Sequence, residues 1–133
     1  MEWGEHFPGD CPPQDAIVPG CQVYRFLEGD GITASDFLTV RDKAPERRFP
    51  EDEKECRACS LSVFTDRSEV LRLQRRVPRW RRAIAIGQLD ETSGKLKHTP
   101  SPQTNNSHHS WWVPKAVSAV DLFFEVMEPP SRM

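Results

Sequence analysis

The segment from 66 to 87 constrains the fold of this chain more than any other feature. Asp66 precedes Glu69 by three residues, which is the spacing of a capping box with Asp in place of Ser or Thr. The apolar residues that follow recur at spacings of three and four and would form one face of a helix: Val70, Leu73 and Val77. Pro78 limits that helix. The run AIAIG at 83–87 is typical of a buried strand, so a helix and a strand are predicted in direct succession.

Further segments favour strands, and one favours a short helix. Strand formers are concentrated in four runs: residues 22–27, 60–64, 111–113 and 122–127. Thr33 or Ser35 would cap a short helix that carries Phe37. The order of these elements predicts a small single α+β domain with a mixed or antiparallel sheet and two helices, one of them arginine-rich.

The length of 133 residues is sufficient for one domain and leaves little room for a second. Proline and glycine are concentrated in residues 1–20, which are predicted to form an irregular arm. The single domain is expected over 21–128 and is followed by a tail at 129–133. Two charged or polar stretches are expected to be loops within the domain: residues 42–55 and the long segment 92–110.

Charge is distributed unevenly along the chain. Residues 1–56 carry 6 basic and 13 acidic side chains, a balance of −7, and residues 57–82 carry 8 and 2, a balance of +6. Residues 83–133 carry 4 and 5, which gives the total of −2. A near-neutral chain is not a general nucleic-acid binder, because neutralising phosphates requires a surplus of cations. The basic segment either binds an anionic partner or is cancelled by acidic side chains folded against it.

Neither a membrane span nor a secretory signal is expected. The longest apolar runs, such as 122–124, are far shorter than a bilayer requires. The N-terminal segment carries Glu2, Glu5 and Asp10 and has no hydrophobic run, so a cytosolic protein is predicted. The sequence also lacks the glycine-rich dinucleotide motif, the P-loop, the nucleophile elbow and the HExxH zinc motif.

The four cysteines include one pair with metal-ligand spacing. Cys56 and Cys59 are separated by two residues, and two thiolates at this spacing can reach one zinc ion. Cys11 and Cys21 are too far apart to form a second close pair. The missing ligands would come from the histidines His98, His108 or His109. Disulfides rarely persist in the cytosol, so the alternative is that the thiols are ordinary, partly buried side chains.

The basic segment places arginines along the predicted helix. Arg72, Arg76 and Arg79 recur at spacings of four and three, and they share a face if the helix continues that far. Guanidinium groups suit phosphate or carboxylate because their forked donors bind two oxygens at once. Trp80 would stack on a base or contact a cation, or else belong to the core. These four residues are candidate ligand contacts, and the alternative is an ordinary solvated helix face.

A histidine-rich segment ends in paired tryptophans. Imidazole titrates near neutral pH, so His98, His108 and His109 suit proton transfer or metal binding. Trp111 and Trp112 would line a pocket as ligand contacts together with His98, or else belong to the core. If the end of the segment is a strand, His109 and Trp111 point to one face, and His108 and Trp112 point to the other.

Three further residue types occur in an order found in a known family. Arg25 lies on the first predicted strand, Ser60 and Ser62 lie on the second, and Glu125 lies on the last. This order resembles that of ADP-ribosyltransferases, in which an Arg, a Ser and a late Glu meet around NAD. The resemblance covers three residues and lacks the flanking motif and the usual length of the family. The alternative places Glu125 on the solvent face of an edge strand.

Two functions are predicted from these features. The first is a small cytosolic interaction module that binds an anionic protein surface, a nucleotide or a nucleic acid through the arginine-rich helix and the His/Trp segment. The second is a small enzyme acting on a nucleotide or another phosphorylated ligand, with Arg25 holding phosphate. His108 or His109 would be its acid or base, assisted by Glu125 or Ser62. The enzyme requires Arg25, His109 and Glu125 to converge on one pocket.

Overall fold

The computed structural model describes residues 1–100 and 106–130, and these form a six-stranded antiparallel sheet with helices packed on it. The strands are β1 Gln22–Phe26, β2 Leu61–Phe64, β3 Ile84–Gln88, β4 Lys95–His98, β5 His108–Trp112 and β6 Phe123–Met127. Their order across the sheet is β4-β5-β2-β1-β3-β6, and each neighbouring pair is antiparallel. The predicted α+β class is confirmed, and the sheet is the antiparallel alternative.

Three helices and three 3₁₀ turns connect the strands in this part of the chain. The helices are α1 Val40–Lys43, α2 Asp52–Ala58 and α3 Arg67–Arg76. The 3₁₀ turns are Ala34–Phe37, Pro78–Trp80 and Ala119–Leu122. None of the described helices combines the length and the apolar character that crossing a lipid bilayer requires.

The amphipathic helix predicted from the sequence is α3. Asp66 caps it, because its carboxylate accepts hydrogen bonds from two backbone N–H groups of the first turn. Val70 and Leu73 are buried against the sheet. The helix ends at Arg76, since Val77 is already extended. The apolar face is therefore used for packing, and the arginines of the opposite face are exposed.

The sheet carries a hydrophobic core on each face. The core under α3 contains five strand residues: Tyr24, Phe26, Phe64, Ile84 and Ile86. The core on the other face surrounds Trp111 and contains Val23, Leu27, Leu61, Val63 and Ala85. Phe123 enters this second core over Gly87, where a Cβ atom would lie 2.8 Å from the phenylalanine ring. Glycine is required at this close approach.

The N-terminal segment is attached to the domain by several contacts, of which a backbone bridge and a disulfide are the main ones. Ile17 forms an isolated bridge with Leu96 of β4. A disulfide joins Cys11 to Cys56 of α2, and Trp112 packs in the same cluster. Backbone pairing and a covalent bond therefore hold an arm that has little regular structure of its own.

Two stretches predicted as loops contain regular structure. The segment 92–110 holds β4 and most of β5, which pair along their length. β4 has the sequence KLKH, and only Leu96 is buried, because it is an edge strand with little apolar content. In the stretch 42–55, α2 begins at Asp52 with acidic residues that favour a helix N-terminus. Residues 101–105 and 131–133, parts of the predicted loop and tail, lie outside the described residues.

Candidate functional site

Arginines of α3 and the turn after it form an exposed, positively charged surface. This cationic surface consists of Arg67, Arg72, Arg75, Arg76 and Arg79. The two acidic side chains of the same segment make other contacts. Asp66 caps α3, and Glu69 is buried, where it accepts hydrogen bonds from Ser107 N at 3.0 Å and Ser107 Oγ at 2.9 Å. The exposed side of the helix therefore presents cations to solvent.

In the described chain, no arginine of the cationic surface lies within 4.0 Å of a carboxylate oxygen. The ion pairs present there join other residues: Arg41–Glu55, Lys43–Glu28, Lys54–Glu51 and Lys97–Asp15. Three of these four pairs lie entirely within the acidic segment 1–56. The predicted alternative, in which the acidic segment cancels the basic one by direct contact, is not found among the described residues.

The single helix face predicted for three of these arginines is only partly formed. Arg72 and Arg76 lie one turn apart on α3, and both are exposed. Because α3 ends at Arg76, Arg79 lies in the 3₁₀ turn Pro78–Trp80. Its guanidinium is 5.9 Å from the centroid of the Trp80 ring. The three residues share a surface that extends beyond the helix.

Arg25 fills a gap between β1 and β2. The two strands pair only at Tyr24 and Phe64. Arg25 Nη1 donates to the Ser62 carbonyl at 2.7 Å, and Arg25 Nε donates to the Asp36 carbonyl at 2.8 Å. Burial lowers the pKa of Arg25 to about 10, while the Asp36 carboxylate opposes this shift. The guanidinium therefore stays charged at neutral pH and replaces part of the missing strand pairing.

A cavity of about 250 Å³ lies beside this gap and is called the β1–β2 cavity below. Its aromatic wall consists of Phe26, Phe64 and Trp80, whose ring centroids lie 4.8 to 6.3 Å apart. Its polar lining consists of Arg25, Glu28, Asp36, Ser62, Arg82 and His108. Four residues singled out in the sequence therefore meet at this cavity: Arg25, Ser62, Trp80 and His108.

Several residues of the cavity were not predicted as site residues, notably Arg82 and the two phenylalanines. Arg82 ends the basic segment, and its neighbour Trp80 was already a candidate. Phe26 follows Arg25 on the same strand, and Phe64 lies two residues after Ser62. The only sequence signal for these three residues was their closeness to predicted site residues along the chain. That signal identifies a shared cavity only if β1 and β2 are known to be neighbours, and local sequence does not contain this information.

His108 and His109 point to opposite faces of β5, as the alternation predicts. His108 lines the β1–β2 cavity, where its Nδ1 atom is 2.8 Å from the Thr99 carbonyl oxygen. Its ring packs nearly perpendicular to that of Phe64, with the centroids 5.4 Å apart. His109 lies on the other face, with its ring centroid 5.0 Å from that of His98. The two adjacent histidines therefore cannot act together on one ligand.

Lowering the pH is expected to destabilise the fold through these two histidines. Burial lowers the pKa of His108 and of His109 below the ordinary value of 6.5, although a carbonyl bonded to each ring opposes the shift. Below about pH 6.5 the unfolded chain then binds more protons than the folded chain. The free energy of unfolding therefore falls as the pH decreases from that value, whereas above it these groups have no effect.

Urea unfolding at about pH 7.5 and about pH 5.5 measures this difference. His108→Asn should reduce the loss of stability at the lower pH, because one buried imidazole is removed. His6→Asn is the matched control, since His6 is exposed and should leave the loss unchanged. If the wild type, His108→Asn and His6→Asn showed the same pH dependence, buried His108 would not be a source of the loss of stability.

Glu125 is distant from the other candidate catalytic residues. It is exposed on β6, opposite Ile86 of β3. β3 and β1 separate β6 from β2, a distance of about 14 Å at the usual strand spacing. Arg25, His109 and Glu125 therefore do not converge on one pocket. The residue order shared with ADP-ribosyltransferases does not correspond to a common site here.

Trp111 and Trp112 are both buried. Their exposed fractions are 0% and 2%. The indole N–H of Trp111 donates to the Ser93 carbonyl at 2.9 Å, and that of Trp112 donates to the Cys56 carbonyl at 2.8 Å. Trp111 therefore belongs to the core, as the alternative predicts. Trp112 is also buried but lines a cavity of about 440 Å³ beside α2, so its role as a ligand contact stays a prediction. His98 is exposed at the end of β4.

Cys56 is joined to Cys11 in a disulfide, so its sulfur is not a thiolate that could bind zinc. Cys59 is free and buried. Burial, together with the nearby Glu55 carboxylate, raises the pKa of the Cys59 thiol to about 11. Within the described residues, no cluster of three or more His, Cys, Asp or Glu side chains could hold a metal ion. The pair predicted for zinc is corrected to one disulfide cysteine and one protonated thiol.

The cationic surface and the β1–β2 cavity lie side by side. The 3₁₀ turn Pro78–Trp80 supplies Arg79 to the surface and Trp80 to the wall of the cavity. No protein-family model, curated protein or solved structure matches the chain. The two features are the candidate sites because each collects several of the residues singled out in the sequence.

Proposed function

We propose that the chain is a small interaction module that binds an acidic segment of a protein partner through the cationic surface. The observation that carries this proposal is the lack of ion pairs at the surface within the described chain. Five guanidinium groups are exposed there, and none of them forms an ion pair with a carboxylate of the described chain. An external carboxylate is the complementary ligand for such a surface.

Charge favours an acidic protein over a nucleic acid as the partner. Outside residues 57–82 the chain carries −8, from −7 in residues 1–56 and −1 in residues 83–133. That charge repels a long phosphate backbone and leaves only a short basic region to bind it. α3 has 10 residues, or about 15 Å of helix. Trp80 packs on Phe26 and lines the β1–β2 cavity rather than the cationic surface, so its ring is not presented to the bases of a strand bound along α3.

The alternative function as an enzyme and the cytosolic location both stay predictions. An enzyme acting on a phosphorylated ligand would have to use the cavity residues Arg25, Ser62 and His108, without His109 or Glu125. A cytosolic location is predicted from the sequence, whereas a disulfide such as Cys11–Cys56 is typical of oxidising compartments. Counting the free thiols of the purified protein tests whether the disulfide is formed, and this bears on the predicted location.

Removing three arginines should weaken binding to an acidic probe. The probe is a fluorescein-labelled oligoglutamate peptide, followed by fluorescence anisotropy at low and at physiological salt. Substitution of Arg72, Arg76 and Arg79 by Ala should reduce affinity by roughly tenfold, since each exposed charge pair contributes about 0.2 to 1 kcal/mol. Salt should weaken the wild-type interaction strongly and the variant interaction less.

A charge-matched control separates the surface from the overall charge. Arg47, Lys54 and Lys115 are exposed and lie outside the cationic surface. Their combined replacement by Ala removes the same charge and should leave affinity for oligoglutamate nearly unchanged. Equal losses in the two triple variants, or no loss in either, would refute the proposal. Tighter salt-matched binding to oligo-dT than to oligoglutamate would assign the surface to nucleic acid instead.

A further inference from the structure

We propose that the β1–β2 cavity binds a small aromatic ring that carries an anionic group, of the aryl phosphate class. This site is separate from the cationic surface, because it uses Arg25 and Arg82 rather than the exposed arginines of α3 and the turn after it. Its lining combines an aromatic wall with guanidinium, indole and imidazole groups. The two chemistries match the two parts of such a ligand.

Several hydrogen-bond donors of the cavity lining have no acceptor within the described protein. Arg82 donates from Nε to the Leu27 carbonyl at 2.8 Å, and in the described chain its two terminal nitrogens have no acceptor. Arg25 likewise has no acceptor for Nη2 among the described residues. The Trp80 indole nitrogen is buried and has no hydrogen-bond partner there. Of these nitrogens only that of Trp80 is buried. The free guanidinium nitrogens reach solvent, so an anionic ligand in the cavity would accept charge-assisted hydrogen bonds from them.

The two acidic side chains of the lining do not satisfy these donors. The Asp36 carboxylate accepts hydrogen bonds from Glu28 N at 2.9 Å, Thr33 N at 3.1 Å and Thr33 Oγ1 at 2.8 Å. Although burial raises the pKa of Asp36, these hydrogen bonds lower it below its ordinary value. The Glu28 carboxylate is exposed and lies 3.4 Å from Lys43 Nζ. Both carboxylates lie near enough to Arg25 to oppose the lowering of its pKa, but their hydrogen bonds go to other partners. Donors of the two guanidinium groups therefore remain unbonded for an anion.

The apolar part of the cavity fits one ring. Phe26, Phe64 and Trp80 pack against one another at edge and tilted angles, so they form a rigid wall. The volume of about 250 Å³ is below the usual range for sites of drug-sized ligands. His108 lies at the same wall, with its Nδ1 engaged by Thr99. A single ring with one phosphate satisfies both the size and the donor arrangement.

The Trp80 indole N–H signal reports on binding because the Trp80 ring forms part of the cavity wall. Phenyl phosphate is titrated into the ¹⁵N-labelled protein, and the indole N–H signals are followed by NMR. The signal that is missing in Trp80→Phe belongs to Trp80, and it should move with saturation. The signals of Trp111 and Trp112 should stay in place, because their N–H groups are bonded to the Ser93 and Cys56 carbonyls.

Variants separate the guanidinium contribution from that of the ring. Arg82→Gln should weaken phenyl phosphate by roughly tenfold to a hundredfold, as expected for a lost charge-assisted hydrogen bond. Trp80→Phe keeps an aromatic wall and should weaken it by roughly threefold to tenfold. Arg76→Gln removes a charge from the cationic surface only and should leave the affinity unchanged. Arg25→Lys tests the other guanidinium more mildly, because it removes the guanidinium group but keeps a positive charge inside the fold.

Binding of small ligands and of a peptide shows whether the aryl phosphate is a free molecule or a modified side chain. Phenol and inorganic phosphate should each bind more weakly than phenyl phosphate, because each lacks one half of the ligand. A phosphotyrosine peptide that binds more tightly than phenyl phosphate identifies a modified side chain as the ligand, and weaker peptide binding identifies a free small molecule. A motionless Trp80 signal, unchanged affinity in Arg82→Gln, or equal affinity for inorganic phosphate and phenyl phosphate would overturn the proposal.

Discussion

Reduction of the Cys11–Cys56 disulfide is expected to lower the free energy of unfolding by about 4 kcal/mol. The bond closes a loop with a sequence separation of 45 residues, and opening it restores the conformational entropy of that loop to the unfolded chain. The double substitution of Cys11 and Cys56 by Ser should have a comparable effect without a reductant. Urea unfolding with and without a reductant measures the change.

Thiol counting and a third cysteine provide the controls for this prediction. Unfolded, unreduced protein should contain two free thiols, from Cys21 and Cys59. Cys21→Ser should not alter the effect of the reductant, because Cys21 is outside the bond. Four free thiols together with no response to reductant would show that the pairing is not formed. Cys56 would then again be a candidate zinc ligand with Cys59.

Trp111→Ala is expected to destabilise the fold by about 3 to 5 kcal/mol, the range for removing a buried tryptophan. The side chain has an exposed fraction of 0% and lies against Phe123 on the face opposite α3. Its removal also leaves the Ser93 carbonyl without its indole donor. Chemical denaturation of the purified variant measures the loss.

Two other substitutions test whether the loss comes from core packing. Trp111→Phe keeps a ring in the core and loses the N–H, so its cost should be smaller, about 1 to 2 kcal/mol. Trp3→Ala removes a partly buried tryptophan of the N-terminal segment and should cost less than Trp111→Ala. If Trp111→Ala were as stable as the wild type, the core assignment would fail. Trp111 would then return as a candidate ligand contact.

Elements with strong local patterns could be predicted from the sequence, and the edge of the sheet could not. α3 follows from the Asp66 cap and the spacing of Val70 and Leu73, and β3 follows from its continuous apolar run. β4 has one buried apolar residue, Leu96, among polar neighbours. Its strand conformation depends on pairing with β5, so the segment resembles a loop when it is considered alone.

Local sequence was likewise sufficient to identify residues of the candidate site but not to show that they meet. Arg25, Ser62, Trp80 and His108 were each identified from residue type and context, and they do line one cavity. Their meeting depends on β2 lying between β1 and β5, which is a long-range property. Strand order likewise separates Glu125 from the others. The disulfide was missed because the predicted cytosolic location argued against disulfides. Local sequence also does not show that Cys11 and Cys56 are adjacent in the fold.

The most direct test of the proposed function is an NMR footprint of the acidic probe on the ¹⁵N-labelled protein at low salt. Oligoglutamate should shift backbone amide signals mainly within Arg67–Arg76 and Pro78–Trp80, the elements that carry the cationic surface. Added salt should reverse those shifts, because the contacts are exposed charge pairs. Shifts confined to the lysines of β4, or no shifts at low salt, would contradict binding through the cationic surface.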